Sequence, residues 1–124
     1  MTAIAWQKAE GAGIALGGLV IAAMVPAELG WLGWVIALLA PDLGMAGYLA
    51  GPRIGAASYN LAHLYALPFL LMIAGVGLGL PVLIAVGGLW LAHIGIDRAL
   101  GLGLKAATGF GDTHLGRIGH DGGA

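Results

Sequence analysis

The sequence contains no cysteine. That absence excludes disulfides, thiolate metal sites and iron–sulfur clusters. Charge is almost as scarce. Asp, Glu, Lys and Arg make up 9% of the 124 residues, against a hydrophobic share of 60%. A soluble domain carries about a quarter charged residues, so this chain cannot cover its surface with water-seeking groups, and the bilayer is the solvent that suits it. The formal net charge of −1, with no basic run, leaves nucleic acid without an electrostatic footprint. Ser58 is the only serine and lacks the flanking glycines of a nucleophile elbow. The glycines at 75, 77 and 79 lie in apolar sequence with no Lys-Ser or Lys-Thr after them, so there is no phosphate loop.

What remains is four apolar runs. They cover about residues 9–25, 31–50, 54–76 and 82–101, with breaks at Pro26-Ala27-Glu28, Gly51-Pro52-Arg53 and the Gly77–Pro81 turn. Each approaches the roughly 20 residues that a spanning helix needs. The expected fold is all-α, a single integral membrane domain over 1–124. It is an up-down-up-down four-helix transmembrane bundle with a short polar C-terminal tail over 105–124. The last five residues of that tail read as frayed. Lys8 and Glu10 near the start, with no small-residue cleavage site after the first run, favour a retained span over a signal peptide.

Trp31 and Trp34 sit where interfacial aromatics are expected. Gly13 and Gly17 form a small-xxx-small pair that would admit another helix. Glycine-rich faces of this kind make a homo-oligomer an expected partner, alongside membrane lipid. Lys8, Arg53, Arg98, Lys105 and Arg117 fall on the side that also holds both termini. The positive-inside rule then predicts an inner-membrane protein with both termini cytoplasmic.

The stretch Trp90–Leu100 holds the chemistry. His93 and Asp97 are four residues apart and share a helix face. At 1.5 Å per residue, Asp42 lies roughly 13 Å, His63 roughly 15 Å and His93 roughly 12 Å below the cytoplasmic boundary. Asp97 is a turn shallower, and Glu10 is near the mouth on the first run. Ionisable groups in hydrocarbon are expensive and pair within the bundle, so three helices bring polar groups to one level. His63, His93, Asp42, Asp97 and, from the tail, His114 are candidate ligands for zinc, manganese or iron. Asp42 or Asp97 would act as general base on a metal-bound water, with Arg98 or Lys105 near a lipid headgroup.

Each residue has a plainer role beside this one. The histidines can be satisfied core groups, Asp42 after Pro41 can cap a helix, and Asp97 can pair with Arg98 or Lys105. Asn60 reads as an interhelical hydrogen bonder, and Tyr48, Tyr59, Tyr65 and Trp90 as packing. The tail segment Gly111–His114 is either a solvated end or a flap that Phe110 anchors over the site. Two other functions fit the same residues. His63 and His93 could be the axial ligands of a haem in an electron carrier, or buried Asp and His could relay protons in a transport element or partner protein.

Four strings carry a family resemblance: Ala40–Ala56 (APDLGMAGYLAGPRIGA), Tyr59–His63 (YNLAH), His93–Lys105 (HIGIDRALGLGLK) and Thr108–Gly119 (TGFGDTHLGRIG). They resemble the small bacterial four-span proteins of domain-of-unknown-function family 4260. The resemblance implies a short inner-membrane protein and brings no established activity. Pro41-Asp42 and Thr113-His114 are also similar to motifs of membrane-bound metal-dependent hydrolases. Here His-Ile-Gly-Ile-Asp-Arg stands in place of those proteins' His-Arg-Gly string.

Overall fold

The computed structural model describes residues 1–118. Its helices are α1 (Ala3–Met24), α2 (Gly30–Leu39), α3 (Pro52–Ala62), α4 (Ala66–Leu78) and α5 (Pro81–Ala99), with a 3₁₀ segment over Ala40–Ala50. Three stretches are long and apolar enough to cross a membrane: Gly30–Ala50, Pro52–Leu78 and Pro81–Ala99. Helix α1 is 22 residues long but carries Gln7, Lys8 and Glu10 in its first half. Large apolar side chains such as Leu16, Ile36, Leu39, Phe69, Ile73 and Val76 are exposed along these helices. An aqueous monomer rarely leaves so much contiguous apolar surface open. This is the build of a membrane protein.

Helix α5 is the axis, with α1, α2 and α4 packed against it. Close approach of α1 depends on small residues, and the face it uses is Gly11, Ala15, Gly18 and Ala22. A Cβ at Gly18 would run into the backbone of Gly88 and Ala92, and one at Gly95 into Gly11 and Ala15. Gly13 and Gly17, the pair expected to admit a neighbouring helix, do not serve this contact. They turn outward, and a Cβ on either would meet nothing within 4 Å.

The second and third apolar runs are not uniform helices. Residues 40–50 wind as a 3₁₀ segment, which is far longer than the usual three or four residues. A 3₁₀ helix eclipses every third side chain, and here that row is Pro41, Gly44, Gly47 and Ala50. The row of small residues lets α3 lie close, with the Ser58 hydroxyl donating to the Gly44 carbonyl at 2.6 Å.

The third run breaks between Ala62 and Ala66. Pro68 accounts for this, since it lacks the N–H that would bond to Leu64 and its ring clashes with that carbonyl. Three carbonyls around the end of α3 are met by side chains. His63 Nδ1 bonds Tyr59 O, Trp90 Nε1 donates to Ala62 O and Arg98 Nη2 donates to His63 O.

The described part of the tail adds a small sheet to an otherwise all-α fold. Lys105–Ala106, Gly109–Thr113 and Gly116–Arg117 form β1, β2 and β3 of an antiparallel sheet in that order. The sheet rests on α3. The fraying expected of residues 120–124 lies outside the described residues.

Candidate metal centre

Four side chains from three chain segments meet at one point. Asp42 comes from the first turn of the 3₁₀ segment, His63 from the C-terminal cap of α3, and His93 and Asp97 from one face of α5. Their donor atoms all lie within 4.8 Å of one another. The two Nε2 atoms are 3.2 Å apart. Asp42 Oδ1 is 3.0 Å from His93 Nε2 and 3.4 Å from His63 Nε2. Asp97 Oδ2 is 3.3 Å from His63 Nε2 and 3.4 Å from His93 Nε2.

The far side of each imidazole fixes its tautomer. His63 Nδ1 lies 2.8 Å from the Tyr59 carbonyl, and His93 Nδ1 lies 2.6 Å from the Leu38 carbonyl. A carbonyl only accepts, so each Nδ1 carries the hydrogen. Each neutral ring then turns an Nε2 lone pair inward, toward the other lone pair and two carboxylate oxygens. Four acceptors face each other with, among the described residues, a single outside donor, the Tyr59 hydroxyl at 3.4 Å from Asp97 Oδ2. Such a set is repulsive until a cation enters it, whether a proton on each imidazole or one divalent ion.

The spacing suits the ion. Bonds of about 2.0–2.1 Å to nitrogen and oxygen put the donors of a tetrahedral site about 3.3 Å apart. The five separations above run from 3.0 to 3.4 Å. Nδ1–H groups anchored on backbone carbonyls are also the orienting contacts that metal-bound histidines require. A haem does not fit the same geometry. Its axial ligands stand on opposite faces of a macrocycle, whereas here both carboxylates touch both Nε2 atoms and leave no plane between them.

The cluster is buried unevenly. The side chain of His63 is 0% exposed, His93 7%, Asp97 14% and Asp42 48%. Asp42 is the most exposed member of the cluster. Asp42 makes no capping bond to the backbone among the described residues; its carboxylate turns to the histidines.

Arg98 and His114, the other two expected site residues, are elsewhere. Arg98 Nη1 and Nη2 donate to the Leu102 and His63 carbonyls, so the guanidinium braces the backbone behind the cluster. His114 Nδ1 accepts from the Leu104 N–H at 2.8 Å, and the ring stands apart from the four ligands. Burial, then the Arg98 guanidinium, holds the His114 imidazole below its ordinary pKa. Glu10 is not a member of the cluster.

Tyr59, read from the sequence as packing, Lys105, read as a headgroup contact or a partner of Asp97, and Asn60, read as an interhelical hydrogen bonder, support the site. The Tyr59 ring stacks on His63 with centroids 3.8 Å apart and planes within 10°. Lys105 places its ammonium 4.8 Å from the Tyr59 ring centroid and 3.9 Å from that of Phe110. Burial pushes the Lys105 ammonium below its ordinary value, with the carboxylates of Asp97 and Asp42 opposing the shift. Tyr59 stands four residues before His63, and that helical spacing was a signal available in the sequence. The contact of Lys105 with its ring was not.

Asn60 clamps this layer from below. Its amide donates to the Lys105 carbonyl at 2.8 Å and its oxygen accepts from the Lys105 N–H at 2.5 Å. Asn60→Ala removes both bonds and leaves two backbone groups without those partners. Its expected cost is about 1–3 kcal/mol of tail docking. Hydrogen exchange of the β2 amides is the measurement. Unchanged protection would show that the clamp does not hold the sheet.

Residues 4–118 match the family described as a domain of unknown function (DUF4260). No curated protein matches the chain, and no solved structure does.

Proposed function

The chain belongs to the DUF4260 family, and because that description names no activity, we propose its function from the site: a metal-dependent membrane hydrolase acting on an amphipathic, lipid-like substrate. The observation that carries this reading is the convergence of two Nε2 lone pairs and two carboxylate oxygens on one point, with one of the four residues half-exposed. A catalytic metal site keeps three protein ligands and one exchangeable position. His63, His93 and Asp97 are the three less exposed donors. Asp42, at the mouth, is the replaceable member. A water taking its place would be acidified by zinc, manganese or iron and would lie beside Asp42 as its general base.

The lipid-like substrate follows from the surroundings. An apolar groove of about 240 Å³, lined by Ala37, Ala40, Pro41, Leu71, Val86 and Trp90, adjoins the cluster through Pro41 and Trp90. Helix α1 serves as a fourth span in this reading. Both termini lie on the cytoplasmic side of a bacterial inner membrane, with Lys8, Arg53 and Lys105 on that side.

The test is turnover. Purified protein loaded with zinc, manganese or ferrous iron is offered short-chain phosphoesters and lipid amides in detergent. Metal-dependent hydrolysis is expected, and Asp42→Asn should reduce its rate by about 10²–10⁴-fold, the share of a general base. A protein that binds metal but hydrolyses neither class under any of the three ions would overturn the hydrolase reading and leave the metal site standing.

A further inference from the structure

Arg98 presents a second, separate problem of charge. Its residue is 6% exposed, yet among the described residues no carboxylate lies within ion-pairing distance of it. Its hydrogen bonds go to two neutral carbonyls, His63 O at 3.0 Å and Leu102 O at 3.2 Å. Its guanidinium also lies 5.5 Å from the Tyr65 ring centroid. A guanidinium has five N–H donors, so more remain than these carbonyls take. An uncompensated cation is strongly disfavoured in a buried setting.

The compensation is available on the side of α5 that faces α1 and the tail. There Arg98 lines a cleft of about 230 Å³ together with Gln7, Glu10, Tyr65, Leu104 and His114. His114 Nδ1 accepts from Leu104 N–H, so the neutral ring keeps its hydrogen on Nε2 and offers one more donor. Glu10 adds a carboxylate on α1. It is exposed and makes no ion pair among the described residues. The cleft is thus bipolar, with a guanidinium and an imidazole donor from α5 and the tail, and a carboxylate from α1.

We propose that this cleft binds a small zwitterion of the phosphoethanolamine type, its phosphate on Arg98 and His114 and its primary ammonium on Glu10. A phosphate has enough anionic oxygens to take donors from two elements at once, and planar guanidinium donors match it bidentately. The carboxylate that would repel a bare anion becomes the partner of the ammonium. The ligand is either a lipid headgroup or the free solute, since both present the same two charges. This site does not depend on the metal reading, because Arg98 touches the backbone of His63 and none of the four donor atoms.

The test uses the full chain in a nonionic detergent, titrated with O-phosphoethanolamine and, separately, with inorganic phosphate. Saturable binding of one phosphoethanolamine per chain is expected, at least about tenfold tighter than phosphate, the size of one good charged contact. Glu10→Gln, at an exposed position, should abolish that preference while phosphate binds as well or better. His114→Ala should weaken both ligands. His93→Ala, which removes a metal donor, should leave phosphoethanolamine binding within about twofold, so failure of the metal centre and failure of this site are separable. Repeating the titration in nanodiscs distinguishes the sources. Weaker apparent binding in phosphatidylethanolamine than in phosphatidylglycerol identifies the headgroup, and equal binding identifies the free solute. No saturable binding, equal affinity for the two probes, or an unchanged preference in Glu10→Gln would overturn the proposal.

Discussion

His93→Ala is expected to lower the affinity for a divalent transition metal by at least about 100-fold. Loss of an outer partner of a metal ligand already costs about 10–100-fold, and His93 is a donor itself, 3.0 Å from Asp42 Oδ1 and 3.2 Å from His63 Nε2. Tyr59→Phe is the comparison. It removes only the hydroxyl 3.4 Å from Asp97, an outer contact, and should stay inside the 10–100-fold range. The measurement is metal content after dialysis against a graded chelator, with thermal unfolding on the same samples. An ion held at 100 times its dissociation constant stabilises the wild type by about 2.7 kcal/mol, and His93→Ala should lose that increment. His63→Ala should behave alike. Full metal retention in both variants would show that the cluster is a proton-bridged His–Asp network and not a metal centre.

The cluster was legible in the sequence because depth along an apolar run is countable. Asp42, His63 and His93 count to nearly one level from the breaks at Gly51-Pro52 and Gly101 at the α-helical rise, and they meet although residues 40–50 wind as a 3₁₀ segment with a longer rise. Asp97 came with His93 by i,i+4 spacing. Rotation about each helix axis was less accessible. Counting placed Gly13 and Gly17 at an interface, whereas α1 presents Gly11, Ala15, Gly18 and Ala22. In a helix apolar on every side, no hydrophobic stripe marks the inner face. The sheet over 105–117 was missed for a different reason. Its strands are two, five and two residues long and rich in glycine, too short for alternation to register. They are held by contacts distant in sequence, Asn60 with Lys105 and Tyr48 with Phe110. Arg98 was read as a headgroup contact on charge alone, and its bonds to the His63 and Leu102 carbonyls were not foreseen.

That rotation is what the second large effect tests. Gly95→Val is expected to destabilise the bundle by about 3 kcal/mol or more, the upper end for overpacking. A Cβ there would stand 2.5 Å from Gly11 O and from Ala15 N, and 2.9 Å from Ala15 Cα. All three are backbone atoms of α1, so no rotamer change relieves the clash and the helix itself must withdraw. Gly13→Val adds the same side chain to α1 where nothing lies within 4 Å, and should cost about 0.5 kcal/mol or less. Both are read by thermal unfolding in one detergent, and equal losses would sink this packing of α1 on α5. Gly95 also lies between His93 and Asp97 on α5. If α1 holds α5 in the position that brings those two donors to His63 and Asp42, Gly95→Val weakens metal binding without touching a ligand, and Gly13→Val leaves it unchanged.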